Sequence, residues 1–139
     1  MYHASLLFFS SAIKREFDLN KYTKKADILK AVDAIKYEAG GTNTHLALDE
    51  MRVNGFKASN GARPTSDGHP RVAIVLTDGQ SNQPQLTVTA ALRVHDADIT
   101  VRLERYYLVW QGNFHKTNKL NTIVVKRRRY NKRSCKAQS

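Results

Sequence analysis

Cysteine is nearly missing from this chain: Cys135 is the one example in 139 residues. A single thiol excludes an internal disulfide framework and any zinc cluster built on paired cysteines. It leaves the compartment open, because a domain of this size folds without bridges. No apolar run approaches the ~20 residues of a membrane-spanning helix. The run Ser5-Leu6-Leu7-Phe8-Phe9-Ser10 is short and has no basic leader, so no signal peptide is read from it. Enzymatic frameworks are absent as well. There is no GxxxxGK[ST] loop, no GxSxG elbow, no carboxylate pair on a catalytic framework, and no His near a second His or Cys at ligand spacing. No enzyme is expected. Acidic residues are scarce at one end only. Residues 1–100 hold 12 Lys+Arg and 11 Asp+Glu, whereas residues 101–139 hold 11 Lys+Arg and a single acid, Glu104. The net charge of +11 is therefore almost entirely C-terminal.

What is present reads as one domain, with 41% hydrophobic residues to supply a core. The run at 5–10 is a candidate buried strand. Ile28, Val32, Ile35 and Ala39 recur on one face of a 3.6-residue period, which predicts a helix over 24–38, with Thr23 as N-cap and Gly40 as its C′ residue. Thr42-Asn43-Thr44 offers caps for a second helix over about 45–57. Residues 57–70, rich in Ser, Asn, Gly, Pro and Asp, read as one long surface loop. Val72-Ala73-Ile74-Val75-Leu76 is mostly β-branched and continuous, the pattern of a strand covered on both faces. It ends in the turn Thr77-Asp78-Gly79. Pro84 suits the first turn of a helix to about Ala97, with Leu86, Ala90, Val94 and Ala97 on one face. Residues 98–103 are a further candidate strand. This alternation predicts an α/β fold with a mainly parallel sheet.

In open parallel sheets, ligands sit beyond the carboxyl ends of the strands. Asp78 lies just past such an end, and Thr42 opens a helix after two glycines. A carboxylate and a hydroxyl are hard oxygen donors of the kind Mg²⁺ takes while keeping several waters. Singly, each has an ordinary explanation: Asp-Gly after a strand is usually a turn, and Thr before a helix is usually a cap.

Four blocks taken together are more specific. They are Phe9-Ser10-Ser11, Phe17-Asp18-Leu19, Gly40-Gly41-Thr42-Asn43-Thr44-His45-Leu46-Ala47-Leu48, and Arg71-Val72-Ala73-Ile74-Val75-Leu76-Thr77-Asp78-Gly79-Gln80-Ser81. In order and spacing, over roughly residues 5–100, they resemble a von Willebrand factor type A domain of the extracellular-matrix kind (collagen VI and matrilin). The resemblance implies a doubly wound, Rossmann-like sheet with a metal-ion-dependent adhesion site (MIDAS) at its carboxyl edge. It implies Thr42 and Asp78 as metal ligands, with Asn43, Thr44, His45 and Gly79 on the rim. It also implies Mg²⁺ (or Mn²⁺ or Ca²⁺) as cofactor, a matrix or cell-surface protein such as collagen as partner, cell adhesion as function and a secreted location.

The chain departs from that pattern in two places. The family's remaining ligands come from an Asp-x-Ser-x-Ser motif on a central first strand, and this chain has no such motif. Met1 almost abuts the strand at 5–10, so a chain truncated at its start is expected. Strands 5–10 and 71–77 should then lose a shared neighbour and show unpaired backbone groups, and metal should bind weakly or not at all. The second departure begins after residue 101. Residues 102–125 diverge, with 119–124 faintly resembling the family's final helix. Residues 126–139 read as a basic, disordered tail. Lys126, Arg127, Arg128, Arg129, Lys132 and Arg133 give the alternative reading, nucleic-acid binding, and a non-functional gene fragment is a third. Basic clusters are more often solvated tails, so nucleic acid is the less favoured partner.

Overall fold

The computed structural model describes residues 3–36, 40–77, 80–105 and 122–126. Two strands, β1 (Ala4–Phe9) and β2 (Ile13–Phe17), form an antiparallel hairpin. Helix α1 (Lys25–Asp33) and helix α2 (Thr44–Glu50) follow, and α2 runs directly into a π-helical turn at Met51–Gly55. Strand β3 (Arg71–Thr77), helix α3 (Pro84–Asp96) and strand β4 (Ile99–Arg105) make a parallel β-α-β unit. A last strand, β5 (Thr122–Lys126), completes a five-stranded sheet in the order β2-β1-β5-β3-β4.

The position of β5 corrects the largest expectation from the sequence. The inner edges of β1 and β3 are not bare. Strand β5 lies between them and is antiparallel to both, so each of its residues pairs on two sides. Val124 sits opposite Leu6 on β1 and opposite Ile74 on β3, and Ile123 sits opposite Leu7 and Val75. The slot assigned to the family's first strand is thus filled from the other end of the chain. Residues 122–124 are a strand and not part of a final helix. Lys126 ends that strand instead of opening a tail. The physical reason is that a β-branched segment between two open strand edges supplies partners to backbone groups on both sides, which a helix at the same place would leave unmet. Its insertion also makes the sheet mixed. β1, β3 and β4 point one way, but only β3 and β4 form a parallel ladder.

The main core cluster lies on one face of this sheet, under α2 and α3, and Leu6 and Phe8 of β1 are buried on the other. Leu7 and Phe9 of β1, Ala73 and Val75 of β3 and Ile99 of β4 meet Ala47, Leu48, Met51, Ala90 and Val94. The strand residues alternate in register, so one pleat face supplies all of them. Phe9 and Val94 are fully enclosed, each at 0% exposure. On α3 the buried stripe is Ala90 and Val94, with Ala97 packed against it. Leu86, predicted on that stripe, is exposed, because the first turn of α3 belongs to the site loop described below.

Helix α1 is shorter than its periodicity predicts. It buries none of its residues, and Leu29 and Val32 are exposed. A segment without a packed face lacks the main source of helical stability in proteins, so repetition alone does not hold it to residue 38. Its N-cap is Lys24, not Thr23, and no side chain caps it. The predicted loop at 57–70 contains two 3₁₀ turns, Ala58–Asn60 and Thr65–Asp67, each closed by a glycine in the left-handed region. Strand β4 continues to Arg105, so residues 102–105 extend the sheet.

Phe9→Ala is expected to destabilise the fold by about 3–5 kcal/mol, the range for removing an enclosed aromatic side chain. Leu92→Ala, at a position 60% exposed, is expected to stay within about 0.5 kcal/mol. Chemical denaturation followed by circular dichroism measures both.

Candidate functional site

Strands β1 and β3 end at the same edge of the sheet, and the candidate site is assembled there. Beyond β1 the chain turns through Ser10 and Ser11 into β2. The Gly40–Asn43 loop packs on that turn through three hydrogen bonds. The Asn43 N–H donates to the Ser10 carbonyl at 3.1 Å, the Gly41 N–H to Ser11 Oγ at 2.8 Å, and Asn43 Nδ2 to the Ser11 carbonyl at 3.0 Å. From the β3 side, the Asn82 N–H donates to the Thr42 carbonyl at 2.9 Å. Thr42 is therefore held between the end of β1 and the loop that follows β3.

Two glycines are required for this approach. A Cβ at Gly40 would stand 3.0 Å from Ser11 Oγ and 3.2 Å from Ser10 Oγ, and one at Gly41 would run into Asn82 Nδ2. The serine hydroxyls thus lie directly against the loop that carries Thr42. On the far side, Ser81 Oγ accepts from the Gln83 N–H at 3.2 Å and lies 2.7 Å from the Thr87 hydroxyl, which fixes the start of α3.

The sequence-derived candidates divide as follows. Thr42 is at the expected rim, half-buried. Asn43 is the N-cap residue of α2, but its side chain makes no cap bond and reaches back to Ser11 instead. Thr44 is buried, so it supports the rim by packing rather than by ligand contact. His45 is half-buried, and its Nδ1 is enclosed with no hydrogen-bond partner. Asp78 and Gly79 lie outside the described residues, between Thr77 at the end of β3 and Gln80. Arg127, Arg128, Arg129, Lys132 and Arg133 also lie outside them. Ser10, Ser11 and Asn82 are site residues to which the sequence reading gave no role. Their signal was position: all three sit just past strand ends, where such folds place their ligands.

Whether a divalent ion fits depends on the donors. Among the described residues no three His, Cys, Asp or Glu side chains gather as a metal group. The nearby acids are engaged elsewhere. Asp49 pairs with Arg52 and Arg93 at 3.2 Å each, and Glu50 pairs with Arg15 at 3.3 Å and accepts from Asn54 at 2.7 Å. The rim itself offers neutral hydroxyls. Among the described residues that set is neutral, of the kind a hard cation takes while keeping most of its waters.

An α/β sheet with a polar loop cluster at the carboxyl ends of its strands is the architecture of the Rossmann-like class. The family model of the von Willebrand factor type A domain matches residues 2–137, and the chain belongs to that family. It is 43% identical to human Matrilin-4 over 86 residues, which is 62% of this chain and 14% of that protein. It is 38% identical to Cuticlin-6 of Caenorhabditis elegans over 99 residues, covering 71% of this chain and 16% of that one. The chain thus spans only a small part of these relatives. Among solved structures, it is similar to proximal thread matrix protein 1 of the mussel byssus with a zinc-occupied MIDAS motif. That likeness has a TM-score of 0.63 and 28% identity, over 71% of this chain and 25% of that one.

Gly41→Ala is expected to lower stability by displacing the Asn82 side-chain amide, which lies where the added Cβ would stand, and Asn82→Ala in the same chain to recover part of the loss. A double-mutant cycle by urea denaturation should show a coupling of about 0.5–3 kcal/mol, the range for residues in contact.

Proposed function

We infer that this chain is a non-enzymatic protein-binding module of an extracellular-matrix-type protein. Its ligand would be a secreted or cell-surface protein such as collagen, bound through an acidic group at the rim. One observation carries the reading: the loop of Thr42 is tied by hydrogen bonds to the turn that follows β1 and to Asn82 in the segment between β3 and α3, which holds its backbone at the carboxyl edge of the sheet. Kinship with matrix proteins supports the adhesive role and the extracellular setting. No described helix is long and apolar enough to cross a membrane.

In this reading Thr42 and Asp78 hold a divalent cation, Mg²⁺ by the hardness of the donors, with Mn²⁺ or Ca²⁺ as substitutes. The ion would supply positive charge that attracts a ligand carboxylate. Thr42 contributes a neutral oxygen and leaves that charge largely uncompensated, while Asp78 contributes the negative charge that retains the ion. Asn43 orients the loop through Ser11. His45 and Gly79 border the contact area. Without an Asp-x-Ser-x-Ser strand, retention of the ion is weak, and ligand and cation are expected to bind together rather than in sequence.

Binding to immobilised collagen should require added Mg²⁺ and disappear with excess chelator. Thr42→Ala and Asp78→Asn should each weaken it about tenfold or more, about 1.4 kcal/mol at that limit, as read by surface plasmon resonance. Binding that persists in chelator and fades steeply with rising salt would reject the reading in favour of phosphate contacts by the basic C-terminal residues.

A further inference from the structure

The last strand in sequence is the middle strand in space. β5 joins two strand pairs that share no other backbone ladder: the β1–β2 hairpin on one side and the parallel β3–β4 pair on the other. Other contacts also bridge the walls of its slot. Helix α2 packs on β1, β2 and α3, and α3 packs on β4. The hydrogen bonds from Asn43 to Ser10 and from Asn82 to Thr42 tie the two walls at the rim. The slot that β5 fills is one strand wide, with two facing edges of backbone donors and acceptors.

That groove recognises a strand by its backbone. β1 and β3 point the same way, so one antiparallel strand satisfies both in a single register. Residues 122–126, Thr-Ile-Val-Val-Lys, are almost all β-branched and suit that extended conformation. The covalent connection does not dictate which copy supplies the strand. Arg105 pairs with Thr77 and Thr122 pairs with Leu76, so β4 ends and β5 begins at the same edge of the sheet. Two strand spacings, about 10 Å, separate them. Residues 106–121 connect them and reach on the order of 50 Å when extended.

We propose that the groove between β1 and β3 receives residues 122–126 from a second copy of the chain as well as from its own, giving strand-exchanged dimers. The same backbone pairings form in either case, so the balance is set by concentration against the effective concentration of the tethered strand. Exchange of an identical element is a low-cost route to dimers, and strand addition at an open edge is a general mode of recognition. The charge of +11 on each copy opposes association, and salt screens that repulsion. The dimer fraction accordingly rises with ionic strength, opposite to the behaviour of a phosphate-binding contact.

The test uses the full chain. In sedimentation velocity, wild type should show a dimer fraction rising at least tenfold over a hundredfold increase in concentration, and rising further with salt. Val124→Pro removes an N–H from the ladder and should abolish both the dimer and the cooperative thermal transition. A synthetic peptide of residues 119–129 added to that variant should restore the transition, and a scrambled peptide of the same composition should not. The proposal is overturned if wild type stays monomeric throughout, or if Val124→Pro still dimerises or melts as wild type does. It is equally overturned if a hundredfold excess of the peptide restores nothing, or if the scrambled peptide works as well.

Discussion

A backbone amide or carbonyl enclosed without a partner costs about as much as a lost hydrogen bond, and that cost decides the architecture of this domain. The inner edges of β1 and β3 each present a row of such groups. Strand β5 meets both rows at once, in one register, and thereby joins two strand pairs into a single sheet. The core on the α2–α3 face depends on that union, because Leu7 and Phe9 come from one side of β5 and Ala73, Val75 and Ile99 from the other. The rim depends on it too. Thr42 is held from both sides only while the ends of β1 and β3 stay at their present separation.

The polar residues of the domain serve two separate purposes. Asp49 and Glu50 on α2 pair with arginines from β2, α3 and the π-helical turn, binding the helical layer to the sheet edge. Such partly exposed pairs contribute little each, at most about 1 kcal/mol. Among the described residues the rim offers hydroxyls and amides.

Much of this was legible in the chain. The β-branched run at 72–76, the apolar run at 5–10 and the Pro84 start of α3 each encode their element locally, because strand and helix preferences act over a few residues. The four spaced blocks carried the family, and Gly40-Gly41 marked a close approach that the structure explains through Ser10, Ser11 and Asn82. What was misread shares one cause. The extent of α1, the place of Leu86, the use of Asn43 as a cross-brace rather than a cap and the fate of residues 122–126 all depend on partners distant in sequence. Periodicity reports which face is apolar, and it does not report whether anything covers that face.

Composition and local pattern by themselves determined the α/β class, the order of elements up to β4 apart from β2, which the sequence reading left unassigned, and the absence of a disulfide framework. Tertiary structure alone decided the sheet order, because the pairing of β5 with β1 and β3 is a contest among edges that exist only after those strands have formed. A weakly patterned five-residue segment carries no label for its destination. Its place follows from where the unmet hydrogen bonds are.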